Sequence, residues 1–315
     1  MISRTCMMLL LLAGGLSSVQ AQGTSQRIRL APRPDSNRER WYPQPITTRI
    51  GEVVAFDNAQ LAVILNGEAA PTRFPAERVL DIHSDEVPQD QREALDAFEK
   101  GDYTEAMKGF IASISNKDAT ERPPVWRQQW ISMMAAQAAW RSGRGEIALE
   151  LIEQLDKRPL PPLVWALLPI DWVGTVKTQP IFEAAAKRAR SESLAVKLVA
   201  ASWLLGSTKY RGAAESAIVR LVNLKAPTIS PLAAQLRWRT KTPVELRDEW
   251  PQWQSQIEAL PMPLRSGPML SLAVTTRTAG LADVARRQAL ILETAAPSWH
   301  PDLSGLTADG PRLSQ

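Results

Sequence analysis

Cysteine is almost missing from this chain. Cys6 is the only one in 315 residues, and His83 and His300 are the only histidines. A disulfide framework is thereby excluded, and a His/Cys metal centre nearly so. No cofactor is expected. Neither the G-x-S-x-G of a nucleophile elbow nor the phosphate-cradling G-x-x-x-x-G-K-[ST] occurs. A Ser–His–Asp triad would have to recruit His83, beside a strand end, or His300, in a Pro-bounded tail, and neither is the rigid setting such a site needs. No acid stands out, since Glu93, Glu105 and Glu150 fall where exposed or capping residues belong. Catalysis by carboxylates alone stays open, because any two acids can meet in a fold. The expectation is a protein that is not an enzyme.

Long apolar runs are also lacking after the first residues, so no transmembrane span is expected. The start itself, MISRTCMMLLLLAGGLSSVQAQG, has Arg4, a short apolar core from Met7 to Leu16 and small residues before Ala21. This is the pattern of a secretory signal peptide over 1–21, against the competing reading of a buried N-terminal helix. An exported chain, Gln22–Gln315, would hold no cysteine and would depend on its core alone. Its expected place is periplasmic or extracellular, soluble or peripherally attached.

Charge is uneven. The formal net charge is +4. Arg27, Arg29, Arg33, Arg38 and Arg40 face only Asp35 and Glu39 within residues 23–44, and from Ile46 onward the charges cancel. A nucleic-acid binder would carry its basic patch on the folded part, so nucleic acid is not expected as a partner. Residues 22–44, rich in Arg, Pro, Ser and Gln, read as a basic flexible linker. It is either simply solvated or a peripheral contact to an anionic envelope surface.

Residues 45–84 change to β-type runs, Val53–Phe56, Leu61–Leu65 and Val79–Ile82, with turn signals at Asp57-Asn58 and Asn66-Gly67. This stretch resembles the small SH3-like barrels of bacterial proteins. The resemblance implies a β-barrel-like module that binds peptides or wall material, although no aromatic-lined groove is visible and Phe56 and Phe74 read as core. From 85 to 297 amphipathic runs of helix length are separated by prolines, and 298–315 read as a loose C-terminal tail.

The segment EKGDYTEAMKGF, residues 99–110, has the grammar of a helical hairpin. Gly101 ends one helix, Asp102 caps the next, and Glu105 completes a capping box. Ala106 lets the helices approach, Phe110 lies on the same face, and Tyr103 plugs the gap. The pattern recurs as Gly143 with Ala148 and as Gly280 with Ala285, and less well at Gly206. F-x-x-G-D-Y-x-x-A-x-x-x-F resembles the second half of a tetratricopeptide repeat. The spacing departs from the family's period of about 34 residues, since Gly101 to Gly143 is 42 and Gly143 to Gly206 is 63. The Trp-Leu-Gly-Tyr part of the repeat's first helix is absent.

The resemblance implies a mostly α fold, a right-handed α-solenoid of tetratricopeptide-like hairpins over 85–297. Its concave surface would hold a protein or peptide partner in the cell envelope. On that resemblance Trp130, Met133, Gln137 and Arg141, which share one helix face, line the groove. The competing reading packs Trp130 and Met133 against the next helix, as aromatic stripes usually do. Trp165, Trp172, Trp250 and Trp253 likewise read first as packing. The expected role is non-catalytic protein binding or scaffolding, and the rival is an envelope protein that binds or cleaves glycan through carboxylates.

Overall fold

The computed structural model describes residues 25–33, 45–115, 123–176, 178–296 and 300–301. The expected signal peptide, Arg38, Arg40 and the chain beyond 301 lie outside the described residues.

The N-terminal part is a sheet of five antiparallel strands: β1 (Gln26–Leu30), β2 (Thr47–Phe56), β3 (Gln60–Leu65), β4 (Thr72–Pro75) and β5 (Val79–Ser84). Their order is β4-β3-β2-β1-β5. The expected SH3-like barrel is therefore corrected to an open sheet. A barrel needs its outer strands to pair, whereas here β4 and β5 stand at opposite edges. A 3-10 turn at Ala76–Arg78 carries the chain from one edge to the other, beside β1.

The strand that makes this possible comes from residues read as flexible linker. Gln26–Leu30 alternates, with Ile28 and Leu30 buried and Arg27 and Arg29 at the alternate positions. Arg29 sits opposite Thr48 on β2 and Asp81 on β5. Two arginines of the basic stretch thus belong to a central strand of the sheet, Arg27 exposed and Arg29 half-buried. On its covered face Ile28, Leu61, Val63 and Phe74 close over Trp126 and Leu163, so the sheet has no core separate from the helices.

The rest of the described chain is helical: α1 (Gln89–Glu99), α2 (Tyr103–Ser115), α3 (Val125–Arg141), α4 (Gly145–Leu155), α5 (Pro162–Trp165), α6 (Gln179–Arg188), α7 (Leu194–Leu204), α8 (Arg211–Asn223), α9 (Ile229–Leu236), α10 (Pro243–Glu258), α11 (Ser266–Thr278) and α12 (Ala282–Ala295). Each packs on its successor from α1 to α4, from α6 to α9 and from α10 to α12, and α4 packs on α6. This sequential packing is consistent with a repeat-type helical region. The expectation of a solenoid led by a barrel-like module fails at the module.

Three helix ends share one construction. Gly101, Gly143 and Gly280 have φ of +82°, +80° and +83°. The N–H after each glycine reaches back over a full turn: Asp102 to the Ala97 carbonyl at 2.8 Å, Arg144 to Ala139 at 2.8 Å, and Leu281 to Thr276 at 2.8 Å. These are Schellman closures, which satisfy carbonyls that the helix end would leave open. Five residues on, Ala106, Ala148 and Ala285 are buried where the paired helices touch. Gly206 differs. Its φ is not positive, and a side chain there would run into the Val176 carbonyl.

The insert after α4 is folded rather than draped. Asp171, fully buried, accepts from the N–H groups of Gly174, Thr175 and Val176. Arg239 closes over it, donating to the Asp171 and Ser202 carbonyls. Helix α5 within this insert touches α3 and β5, and so joins the sheet to the helices. The tryptophans follow the packing reading: Trp172 and Trp253 are buried, and Trp165 and Trp250 pack against the cores.

Candidate functional site

The face of α3 singled out from sequence is largely closed. Trp130, Met133 and Gln137 are 3%, 0% and 2% exposed, so their side chains are packed within the protein. Trp130 lies under the Arg127 guanidinium, 4.4 Å from its ring centre. The Gln137 amide donates to the Leu167 carbonyl at 2.9 Å, tying α3 to the insert. Arg141 is half-buried. It lies against the Phe98, Tyr103 and Trp140 rings and donates to the Pro301 carbonyl at 2.7 Å. The expected groove face is a packing face because the insert covers it. Tyr103 does lie between elements, edge-on to Phe98 with centroids 5.3 Å apart.

The acids considered from sequence are also placed. Glu93 accepts from Gln89, Glu105 pairs with Lys108 at 2.6 Å, and Glu150 shares Arg188 with Glu146 and Glu153. One guanidinium holding three carboxylates joins α4 to α6 on the surface, an arrangement that suits docking of helices rather than proton transfer.

A cavity of about 410 Å³ lies elsewhere, where β5, α5 and the last three helices meet. Leu80, Leu163, Ile257, Met269 and Leu292 are among the apolar residues of its wall. Leu80 comes from the sheet and Leu163 from the insert, while the others come from α10, α11 and α12. Ile291, 43% exposed, stands where the cavity meets solvent.

Its polar groups are few and convergent. The Gln288 amide donates to Gln254 at 3.2 Å, and Gln254 donates to the exposed Glu258 carboxylate at 2.7 Å. Arg265 donates to the main-chain carbonyls of Leu260 and Glu258 at 2.8 and 2.6 Å, capping the end of α10. Burial lowers the Arg265 pKa, and the charge of Glu258 opposes that. Ser266 opens α11, and its hydroxyl lies 3.3 Å from Nε2 of His300. Gly267 follows because the Trp172 indole occupies the place a side chain would take.

No protein-family model, curated protein or solved structure matches the chain. Its site is therefore read from its own geometry.

Of the polar residues in this wall, the sequence singles out only His300, and places it in a loose tail. The structure buries both His300 and Pro301, so the described start of that segment is docked. Arg265 and Ser266 sit in MPLRSGP, a stretch with no motif and no period. The two prolines before Arg265 were its only signal, and they mark a helix boundary. Among the described residues there is no cluster of His, Cys, Asp or Glu that could hold a metal ion. Nor is any helix there long and apolar enough to cross a membrane.

Proposed function

We propose that this is a non-catalytic binding protein of the cell envelope, which recognises its partner by enclosing an apolar part of it in the cavity between β5, α5 and α10–α12. One observation carries the reading: an apolar cavity of about 410 Å³ with a few convergent polar groups, the usual form of a ligand site. Placement in the periplasm or outside the cell belongs to the same proposal and rests on the N-terminal sequence pattern. The helices act as a scaffold that holds three distant segments around one space. Glycan cleavage by paired carboxylates finds no support in the cavity, since Glu258 is the one acid in its wall and is exposed.

The test uses the full chain, with a photo-crosslinking residue at Ile291, expressed in intact cells. A crosslinked partner that disappears when Ala166→Phe fills the cavity, in a variant with an unchanged circular dichroism spectrum, is the expected result. Crosslinking that is indifferent to Ala166→Phe would remove the cavity from the reading. The Ser266–His300 contact provides a check on the absence of catalysis. Hydrolysis of p-nitrophenyl laurate that is abolished by Ser266→Ala would overturn it.

A further inference from the structure

Arg265 is the one cationic side chain that is always charged in the cavity wall, and its hydrogen bonds go to main-chain carbonyls. Among the described residues it makes no ion pair. A guanidinium has five N–H donors, and two bonds leave donors over at the cavity surface. Ser266, beside it in sequence, brings a buried hydroxyl, and His300 an imidazole. The Glu258 carboxylate is exposed and is taken by Gln254, so it does not close off this charge. The cavity thus has apolar walls with a cationic, hydrogen-bonding corner.

We infer that the cavity binds an amphipathic carboxylate, a linear apolar chain lying along Leu80, Leu163, Ile257 and Met269 with its carboxylate at Arg265 and Ser266. The inference rests on the cavity reading above and names its ligand class. Charge complementarity selects the acid end, because a half-buried guanidinium with donors left over gains from a planar anion that can take two of its N–H groups. The walls select the rest. A peptide would carry an amide N–H and C=O at every residue into this space, and each would need a partner. The only side-chain amides in the wall, Gln254 and Gln288, are already bonded to one another. An acyl chain brings no such groups, and its burial contributes about 0.8 kcal/mol per methylene.

Isothermal titration of the full chain with dodecanoate and with dodecanol separates the ideas. Dodecanoate should bind roughly tenfold more tightly or better, the scale of a hydrogen bond to a charged group. Arg265→Met should erase that preference, so that the two ligands bind alike, and Arg265→Lys should keep part of it. Ala166→Phe should weaken both ligands. If both bind equally, the carboxylate inference is overturned and the cavity reading stands. If neither binds, both fall. A trileucine peptide with a free carboxyl end that binds more tightly than dodecanoate would replace the acyl chain with a peptide terminus.

Discussion

Asp81 lies on β5 with 8% of its surface exposed, and burial raises its pKa from 3.8 to about 6, against the opposing pull of Arg29, His83 and Arg127. The folded chain therefore holds this proton more tightly than the unfolded chain does. The resulting stability is fully present below about pH 4 and is lost as the pH rises through 6. A shift of that size corresponds to about 3 kcal/mol. Urea unfolding between pH 4 and 7 should show this decline, and Asp81→Asn should flatten it and leave the variant the more stable at pH 7. Asp171 is buried too, and its side-chain oxygens accept from three backbone N–H groups beneath Arg239. Asp171→Ala leaves a buried guanidinium and several donors without their acceptor. It should cost about 3 kcal/mol or more, read as a lower midpoint in urea. Neither residue could be ranked from sequence, because an acid in a strand and an acid in a proline-rich insert look alike until their surroundings are known.

At the scale of elements, the helix turns were the most legible part of the chain. A glycine, then a buried alanine five residues on, is a local pattern, and Gly101, Gly143 and Gly280 all take the left-handed conformation it implies. Alanine at any of these should cost about 1–2 kcal/mol, since the left-handed form crowds a Cβ. Gly212 lies inside α8 with open space around it. There, Gly212→Ala should stabilise by about 0.5–1 kcal/mol. Thermal melts of the four variants check both signs. The capping box expected at Asp102 and Glu105 gives a useful contrast. Glu105 instead pairs with Lys108, whereas Thr242 and Glu245 at the start of α10 form a complete box. Strand β1 was missed for a related reason. QRIRL alternates as a half-buried strand does, but its arginines were counted as charge before their period was considered.

For the molecule as a whole, the sheet and the helices depend on one another through Trp126, the first large side chain of α3. Its ring meets Phe56 edge-on at 5.9 Å and lies in the core of the sheet. Among the described residues its indole N–H has no hydrogen-bond partner, so its contribution there is apolar contact. Trp126→Ala should cost about 3–5 kcal/mol and loosen the sheet first, while Trp126→Phe should cost far less. Hydrogen exchange of the β1 and β5 amides would show which part opens. The described start of the C-terminal segment is held by a hydrogen bond instead, Arg141 donating to the Pro301 carbonyl 160 residues away.

What the sequence determined by itself is local: a helical majority, the β2–β3 hairpin, the glycine turns, and tryptophans that fill cores. These follow from backbone preferences and from periods of two or 3.6 residues, which neighbouring residues carry among themselves. What only the tertiary structure decided is how remote pieces meet. The sheet stays open because β5 returns to β1 rather than to β4. The α3 face is buried because an insert thirty residues later lies across Gln137. The cavity exists because Leu80, Leu163, Arg265 and His300 converge from four separate stretches of chain. Contacts of that range leave no period in a sequence, and the burial they produce depends on every element between them.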